Sequence, residues 1–165
     1  MSGRVGNDMP IREFEKEDIK PLAEIVRATG VFREEEVNVA IELMDIAAND
    51  KEQKDYFLFS YVDESGTVQG YYCAGPTPMT QQTFDLYWIA VHPRLHKKRI
   101  GHELLVHCEV QVKTMGGKLL VVETSSQPKY ETTRRFYLRH QYGEAARIIN
   151  YYAQDDDLVI YSKYF

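Results

Sequence analysis

Residues 85–105 read Asp-Leu-Tyr-Trp-Ile-Ala-Val-His-Pro-Arg-Leu-His-Lys-Lys-Arg-Ile-Gly-His-Glu-Leu-Leu, and this stretch decides the fold. Its first part is apolar on both faces of an extended chain, which predicts a strand that is covered on both sides. Strict alternation puts Phe84, Leu86, Trp88 and Ala90 on one face, and Tyr87, Ile89 and Val91 on the other. Pro93 ends the strand because proline has no N–H group to donate to a sheet. Apolar residues then recur at helical spacing, at Ile100, Leu104, Leu105 and Cys108.

A basic turn, residues 94–99, joins the predicted strand to the predicted helix. It contains four cationic side chains: Arg94, Lys97, Lys98 and Arg99. The first N–H groups of a helix have no partner within the helix, and this end carries a partial positive charge. Basic side chains beside such a helix start favour an anion, most naturally a phosphate. The stretch therefore predicts a phosphate-binding turn.

The same stretch resembles the acetyl-CoA signature of the GNAT N-acetyltransferase superfamily. That signature has Val-x-Pro, then Gln or Arg three residues after the proline, then x-x-Gly-x-Gly/Ala, and then an apolar helix. The matching segments here are Val91-His-Pro, His96-x-x-Arg99-Ile100-Gly101 and Leu104-Leu105. His96 stands where Gln or Arg is usual, and Arg99 stands where the first glycine is usual.

The resemblance implies that acetyl-CoA is the co-substrate and that backbone amides of the turn hold its pyrophosphate. Glycine at the first position lets the backbone approach phosphates closely. Arg99 lacks that freedom but carries a guanidinium group, which is well shaped for phosphate. The family also binds the pantetheine arm through the backbone of the central strand, here Ile89 and Val91. The expected coenzyme A contacts are Ile89, Ala90, Val91, His96, Lys97, Lys98, Arg99, Ile100, Gly101 and His102.

Length and composition indicate one ordinary globular domain. The chain has 165 residues, of which 44% are hydrophobic and 27% charged, and such a chain suits a single core. Residues 1–9 are expected to be a flexible tail, and residues 10–165 are expected to form the domain. No apolar run reaches the ~18 residues that span a bilayer, and the first residues contain no apolar signal segment. A cytoplasmic protein without a membrane partner is therefore expected.

Charge and cysteine content argue against other classes. The net charge of −5 disfavours a nucleic-acid partner, because nucleic-acid-binding domains are expected to be basic. Cys73 and Cys108 have no metal-ligand spacing, and we expect them to be reduced core residues. No group of His, Cys or carboxylate side chains has the spacing of a metal site, so no metal is expected. His92 is expected to be exposed, and His102 and His107 are expected to be solvated.

The predicted elements run in the order strand, two helices, three strands, helix, strand, helix and two strands. Asp18 is expected to cap the first helix, and Gly75-Pro-Thr-Pro to break the second strand of a hairpin. Residues 119–122 read as a buried parallel strand, joined to the central strand by a right-handed crossover. This is the element order of the GNAT fold, an α/β single domain whose central mixed (α+β) sheet has a parallel strand pair flanked by helices.

Acetyl transfer to an amine requires a base for the amine, polarisation of the thioester and protonation of the leaving thiolate. The segment Thr133-Arg-Arg-Phe136-Tyr137-Leu-Arg-His-Gln-Tyr142 resembles the family segment Ala-x-x-Phe-Tyr-x-x-x-Gly-Phe. The family tyrosine lies near the sulfur of coenzyme A and often acts as general acid, which implies that role for Tyr137. By spacing alone, Tyr137 is instead a half-buried aromatic residue on a helix.

Glu123 is the first candidate for the general base. It follows four apolar residues at the expected end of a parallel strand, where the ligands of open α/β sheets collect. Its place matches the glutamate that some GNAT enzymes use as base. The alternative is that its carboxylate pairs with Arg134, Arg135 or a backbone amide. Asp85 is the competing base candidate, although its end of the central strand is expected to lie farther from the sulfur.

The acceptor site is marked only by the segments that line it in the family. Here they are Val31-Phe32, the loop of residues 77–82 and Tyr151-Tyr152. Their aromatic residues can line an apolar pocket or stack on a cation, or equally form core or a dimer face. The expected function is direct transfer of acetyl from acetyl-CoA to a primary amine of a small molecule, amino acid or peptide. The alternative is a coenzyme A-binding or sensing module of the same fold without catalysis, and a homodimer is compatible with either.

Overall fold

A computed structural model describes residues 10–165 of the protein, and the predicted tail at residues 1–9 lies outside this part. The strands are β1 (Ile11–Glu13), β2 (Phe57–Val62), β3 (Val68–Pro76), β4 (Thr83–Val91), β5 (Leu119–Ser125), β6 (Gly143–Ala153) and β7 (Asp156–Tyr164). The α-helices are α1 (Ile19–Ala28), α2 (Glu34–Asn49), α3 (Ile100–Thr114) and α4 (Glu131–Arg139). Within residues 10–165, no helix has the length and apolar character needed to cross a membrane.

One seven-stranded sheet organises the fold, in the order β1-β2-β3-β4-β5-β7-β6. Among these strands only β4 and β5 are parallel neighbours, and the other neighbouring pairs are antiparallel. Parallel neighbours need a crossover connection, and α3 is the helix of that connection. The predicted element order and the predicted mixed sheet with one parallel pair are confirmed.

Helices cover both faces of the sheet and divide the core into two clusters. Leu104 of α3 packs in the first cluster with Tyr72 of β3. Met44 of α2 packs in the second cluster with Tyr71 of β3. These two neighbouring tyrosines are fully buried on opposite faces, as alternation along a strand requires. The cysteines are buried free thiols, as predicted: Cys73 and Cys108.

A β-bulge interrupts β4 at Tyr87. Cys73 of β3 lies opposite Trp88, and the next residue, Ala74, lies opposite Leu86, so Tyr87 has no partner on β3. An extra residue in one strand moves the side chains that follow it to the other face of the sheet.

The bulge shows that the strict alternation predicted along β4 is wrong. The first core cluster takes residues from both predicted faces, namely Phe84, Leu86, Ile89 and Val91. The second cluster takes Trp88 and Ala90. Both sets are apolar, so the sequence pattern contains no signal for the position of the shift.

Hydrogen bonding between β4 and β5 ends early. Residues 83–85 of β4 pair with residues 119–121 of β5, although β4 continues to Val91 and β5 to Ser125. The two strands therefore separate after their third pair. The opening between residues 86–91 of β4 and the later residues of β5 is termed the β4–β5 crevice.

The backbone of β4 has polar groups that face this crevice. The N–H of His92 donates to the carbonyl oxygen of Gln69 at 2.9 Å, on the β3 side. Backbone groups of an antiparallel strand alternate in direction, so those of Ile89 and Val91 point away from β3. They face the β4–β5 crevice, where β5 no longer pairs with β4.

Asp18 does not cap α1 with its side chain, contrary to the prediction. Its buried carboxylate accepts hydrogen bonds from Arg12 at 2.8 and 2.9 Å and from Ser60 at 2.8 Å. A carboxylate that leaves water needs such partners, and these come from β1 and β2. Asp18 therefore anchors the start of α1 to the sheet.

Two predicted strand ends are also wrong. β3 passes through Gly75 to Pro76, which lies opposite Phe84 of β4. β5 continues beyond its apolar run to Ser125, so Glu123 lies within the strand and opposite Ile160 of β7. Both extensions have neighbours to pair with, and a sheet partner overrides local propensity.

β6 is an edge strand, and each of its residues is exposed. Its exposed side chains include Ile149, with 69% of its surface accessible, and Tyr151, with 56%. An exposed apolar edge strand is a surface on which another chain can pair. The homodimer stays a prediction, and β6 is the surface on which it should be sought.

Gly117 lies where the chain turns from α3 into β5, and a methyl group there would meet buried side chains. An added Cβ would collide with Val112 Cγ1 and lie 2.8 Å from Phe84 Cδ2. We expect Gly117→Ala to lower the free energy of unfolding by about 1–3 kcal/mol, because overpacking displaces core atoms. Gly143→Ala is the matched control, since an added Cβ there meets nothing within 4 Å. Urea titration measures both, and equal stability of the two variants would contradict the packing described here.

Candidate active site

The basic turn forms a 3-10 helix, Pro93–Lys98, which is followed by Arg99 and α3. Arg99 adopts a left-handed backbone conformation with φ 61° and ψ 13°. This conformation costs an L-amino acid about 1–2 kcal/mol, whereas glycine adopts it freely. The backbone thus has the shape that glycine favours, and Arg99 keeps that shape with a side chain attached.

The start of α3 presents free backbone donors. The first hydrogen bond of the helix runs from the N–H of Glu103 to the carbonyl oxygen of Arg99 at 3.0 Å. Three earlier N–H groups therefore lie outside the helical ladder, those of Ile100, Gly101 and His102. Three exposed cationic side chains lie just before them: Lys97, Lys98 and Arg99. This combination of donors and charge suits a phosphate group.

Gly101 faces α4 across a narrow gap. An added Cβ at Gly101 would lie 3.5 Å from Cε2 of Phe136, which is an ordinary contact. Alanine therefore fits at this position, and the Gly/Ala choice of the family signature has a steric explanation here.

His96 is held at the end of β4. Its Nε2 atom lies 2.9 Å from the carbonyl oxygen of Val91. The nearby Nδ1 of His92 accepts a hydrogen bond from the N–H of Arg94 at 3.2 Å. The carbonyl of Val91 is thereby engaged within the chain, and its N–H is the group that remains for a ligand in the crevice.

The expectation that His102 and His107 are solvated is wrong. Nδ1 of His140 lies 2.7 Å from the carbonyl oxygen of Phe136, which can only accept, so this nitrogen carries the proton. Nε2 of His140 lies 2.9 Å from Nδ1 of His102, and this hydrogen bond ties the start of α3 to the end of α4. His107 bonds the hydroxyl of Tyr72 at 2.9 Å, and burial lowers the pKa of its imidazole.

Tyr137 lies on α4 and is 2% exposed. The centroid of its ring lies 5.3 Å from that of Phe136, 5.6 Å from that of Tyr142 and 6.2 Å from that of Tyr161. Burial, with a smaller contribution from Cys108, raises the pKa of its phenol. The phenol therefore stays protonated at neutral pH and can act only as a hydrogen-bond or proton donor to a basic group.

Glu123 and Asp85 lie together where β4 and β5 begin to separate. With Leu86 and Tyr87 they line a cavity of about 150 Å³. Glu123 is exposed at this cavity, and its partial loss of hydration there and, after it, the charge of Asp85 raise the pKa of its carboxyl group. Asp85 is thus a neighbour of the first base candidate, on the same small cavity.

Neither Arg134 nor Arg135 pairs with Glu123. Arg134 donates to two backbone carbonyls at 2.7 and 2.9 Å, and Arg135 pairs with Glu131 at 2.7 Å. Among residues 10–165, no Lys, Arg or His nitrogen lies within 4.0 Å of the Glu123 carboxylate. The ion-pair alternative for Glu123 is therefore wrong.

Aromatic side chains from separate segments meet beside α2. Phe32, between α1 and α2, packs edge-to-face on Trp88 at 4.9 Å and on Tyr130 at 6.4 Å. Burial and then the charge of Glu36 raise the pKa of Tyr130. Burial also raises the pKa of Tyr152 to about 12, with Glu123 the next largest cause. Aromatic faces and carboxylates thus lie close to one another here.

Sequence reasoning named Phe32 and Tyr152 for the acceptor region but missed Trp88 and Tyr130. Trp88 was assigned to the face of Phe84, and the bulge at Tyr87 moves it to the opposite face. For Tyr130, the signal in the sequence was its place in the turn that enters α4, two residues after a proline.

A larger cavity of about 390 Å³ lies elsewhere, along β2 and beside the C-terminal ends of α2 and α3, and its lining includes Glu13, Lys51 and Gln111. It contains none of the predicted site residues, so the β4–β5 crevice is the better candidate despite its smaller size. In the part of the chain that the structure describes, no three His, Cys, Asp or Glu residues are grouped so as to hold a metal ion.

A parallel strand pair that opens beside a basic helix start defines a class, namely α/β proteins that bind a phosphate-bearing ligand at the strand ends. The sequence model of the acetyltransferase (GNAT) family matches residues 21–142. The chain belongs to this family of acyltransferases, whose members use acetyl-CoA. The recognition from the signature and the predicted fold are confirmed.

Solved structures of similar proteins agree with this family assignment. A protein from Desulfovibrio desulfuricans described as a GNAT-family acetyltransferase is 36% identical, with 93% of this chain and 97% of that chain covered and a TM-score of 0.89. An aminoglycoside 6'-N-acetyltransferase in complex with coenzyme A is 20% identical, with coverages of 94% and 97% and a TM-score of 0.76. The ribosomal-protein-S18-alanine N-acetyltransferase of Escherichia coli is 17% identical, with coverages of 92% and 90% and a TM-score of 0.71. The last two structures show that this chain shares their fold. The acceptors in their names are those of these two enzymes alone. No curated protein matches the sequence.

The backbone of Arg99 can be tested apart from its charge. We expect Arg99→Gly to be more stable than Arg99→Ala by about 1 kcal/mol, because glycine alone adopts the left-handed conformation without a Cβ clash. Both variants lack the guanidinium group, so each is the control for the other. Their free energies of unfolding are measured by urea titration, and an alanine variant as stable as the glycine variant would rule out the left-handed turn.

Proposed function

We propose that the protein transfers an acetyl group from acetyl-CoA directly to a primary amine of a small molecule, an amino acid or a peptide. The observation that carries this proposal is the β4–β5 crevice, with a phosphate-type turn at one end and an unpaired carboxylate at the other. Direct transfer agrees with the cysteines, since burial raises the pKa of both thiols and disfavours a thiolate nucleophile: Cys73 and Cys108.

The turn and β4 would hold the coenzyme. The free N–H groups at the start of α3 suit a pyrophosphate, and so do three cationic side chains: Lys97, Lys98 and Arg99. In the crevice, the backbone of Ile89 and the N–H of Val91 suit the amide groups of a pantetheine arm, much as a sheet edge accepts an added strand. The chain from Asp85 to Val91 extends about 20 Å at roughly 3.3 Å per residue. A ligand that uses both ends of the crevice must therefore be long.

Glu123 and Tyr137 would carry the proton transfers. Acetyl-CoA supplies the acetyl group as a thioester. Glu123 takes a proton from the amine, directly or through water, so that the nitrogen can attack the carbonyl carbon. As the C–N bond forms and the C–S bond breaks, Tyr137 donates its proton to the sulfur, and the second proton that the nitrogen then loses restores the phenol. The raised pKa values support both roles, because the carboxylate binds a proton more readily and the phenol remains protonated.

The acceptor end suits a positively charged amine. Phe32, Trp88 and Tyr130 bring aromatic rings together beside α2. The charges of Glu36 and Glu123 contribute, after burial, to the raised pKa values of Tyr130 and Tyr152 respectively. Aromatic faces and carboxylates both attract an ammonium group, so these residues support an amine acceptor that binds in its protonated form.

Tyr137→Phe tests the acid role. We expect kcat to fall by about 100-fold, while the Kd for acetyl-CoA changes little, because the buried ring is retained. Tyr161→Phe is the matched control, since it removes the hydroxyl of the ring stacked on Tyr137. Thiol release with a panel of primary amines measures kcat, and calorimetry measures Kd. Wild-type turnover in Tyr137→Phe, or an equal loss in Tyr161→Phe, would contradict the assignment.

A coenzyme A-binding module without catalysis is the second candidate function. Arg99 favours it, because a side chain stands where glycine would let phosphates approach the backbone. Acetyl-CoA at ~100 times its Kd should raise the unfolding free energy by about 2.7 kcal/mol under either function. Stabilisation without acetylation across a broad amine panel would select the module, and one efficient acceptor would remove it.

A further inference from the structure

Asp85 and Glu123 share one face of the sheet at the narrow end of the crevice. Asp85 lies opposite Val121 in the last hydrogen-bonded pair of β4 and β5. Glu123 is two residues farther along β5, and side chains two residues apart point to the same face of a strand. The two carboxylates consequently line the same cavity of about 150 Å³.

The two carboxylates have unlike surroundings. Thr77 Oγ1 donates to Asp85 Oδ2 at 2.6 Å, and the hydroxyl of Tyr87 lies 3.4 Å from the same oxygen. Among the described residues, Glu123 receives no hydrogen bond, and neither carboxylate has a Lys or Arg partner. These contacts hold the Asp85 carboxylate in one orientation, whereas no comparable contact fixes the Glu123 carboxylate.

The other groups around Glu123 do not offset the negative charge of Asp85. Tyr152 on β6 lies near it, but its phenol is neutral, since partial burial, followed by Glu123, raises its pKa further above neutrality, to about 12. Tyr87 on β4 is neutral for a similar reason, with Asp85 as the second cause after burial. Arg134 of α4 is occupied by backbone carbonyls, and Ile160 of β7, which lies opposite Glu123, is apolar.

We propose that Asp85, held in place by Thr77, is a positioning residue that makes Glu123 a stronger base for the acceptor amine. A fixed negative charge beside a carboxylate opposes its ionisation, so Glu123 takes up a proton more readily. Two neighbouring carboxylates in unlike environments commonly have different roles in catalysis. This inference rests on the base role given to Glu123 in the proposed function, and it adds that Asp85 acts through Glu123 and does not itself take the proton.

The direct test measures the titration of Glu123 without any substrate. Protein labelled with ¹³C at the side-chain carboxyl carbon of glutamate is titrated by NMR, and the Glu123 signal is the one that Glu123→Gln removes. In Asp85→Asn we expect the midpoint of this signal to move to lower pH, because the neighbouring charge is gone. Asp45→Asn, on the exposed surface of α2, should leave it unchanged. An unchanged midpoint in Asp85→Asn would overturn the inference.

Kinetics separate this inference from the proposed function. The acidic limb of the pH profile of kcat/KM should move to lower pH in Asp85→Asn, while Glu123→Gln should lose about 100-fold or more in kcat. Wild-type activity in Glu123→Gln would contradict the base role in the proposed function, while the NMR titration would still decide whether Asp85 acts on Glu123. Loss of the acidic limb in Asp85→Asn, with Glu123→Gln still active, would make Asp85 the base and overturn the inference.

Discussion

The functional geometry depends on the point at which β4 stops bonding to β5. The two strands share three residue pairs, ending at Asp85 and Val121, and the bulge at Tyr87 follows immediately. A parallel pair that stayed closed to Val91 would bury the backbone of Ile89 and Val91 in hydrogen bonds. Because it opens, one side of β4 is bonded to β3 and the other side is not paired with β5 over the same residues. The crevice therefore arises because the pairing of β4 and β5 ends early, although both strands continue.

Polar contacts fix the elements on either side of this opening. His102 and His140 join the start of α3 to the end of α4. Glu109 of α3 accepts hydrogen bonds from Tyr142 at 2.9 Å and from Lys163 of β7 at 3.0 Å. A buried carboxylate with two donors is stable only if its partners stay in place, so α3 is tied to the sheet beyond its apolar contacts. The helix start that would receive a phosphate is thus held in a defined position relative to the crevice.

Much of the fold could be predicted because long periodic segments specify it. The strand, turn and helix of residues 85–105 identified the family, and the order of elements followed from apolar patterns and glycines. The bulge at Tyr87 could not be predicted, since the apolar residues on both faces of β4 fit either alternation. The role of Asp18 was misread because cap residues are also the residues that bond to a neighbouring strand. The closeness of Asp85 to Glu123 could not be predicted either, because the sequence gives no distance across a pair of strands.

The claim that the open side of β4 is a coenzyme site is tested most directly by amide hydrogen exchange. Exchange rates along β4 are measured by NMR with and without acetyl-CoA. The N–H groups of Ile89 and Val91, which face the crevice, are expected to become protected when the ligand binds. Those of Ala90 and His92, which face β3, should change much less, because they are already bonded. Protection confined to other elements, or none at saturating acetyl-CoA, would contradict the account.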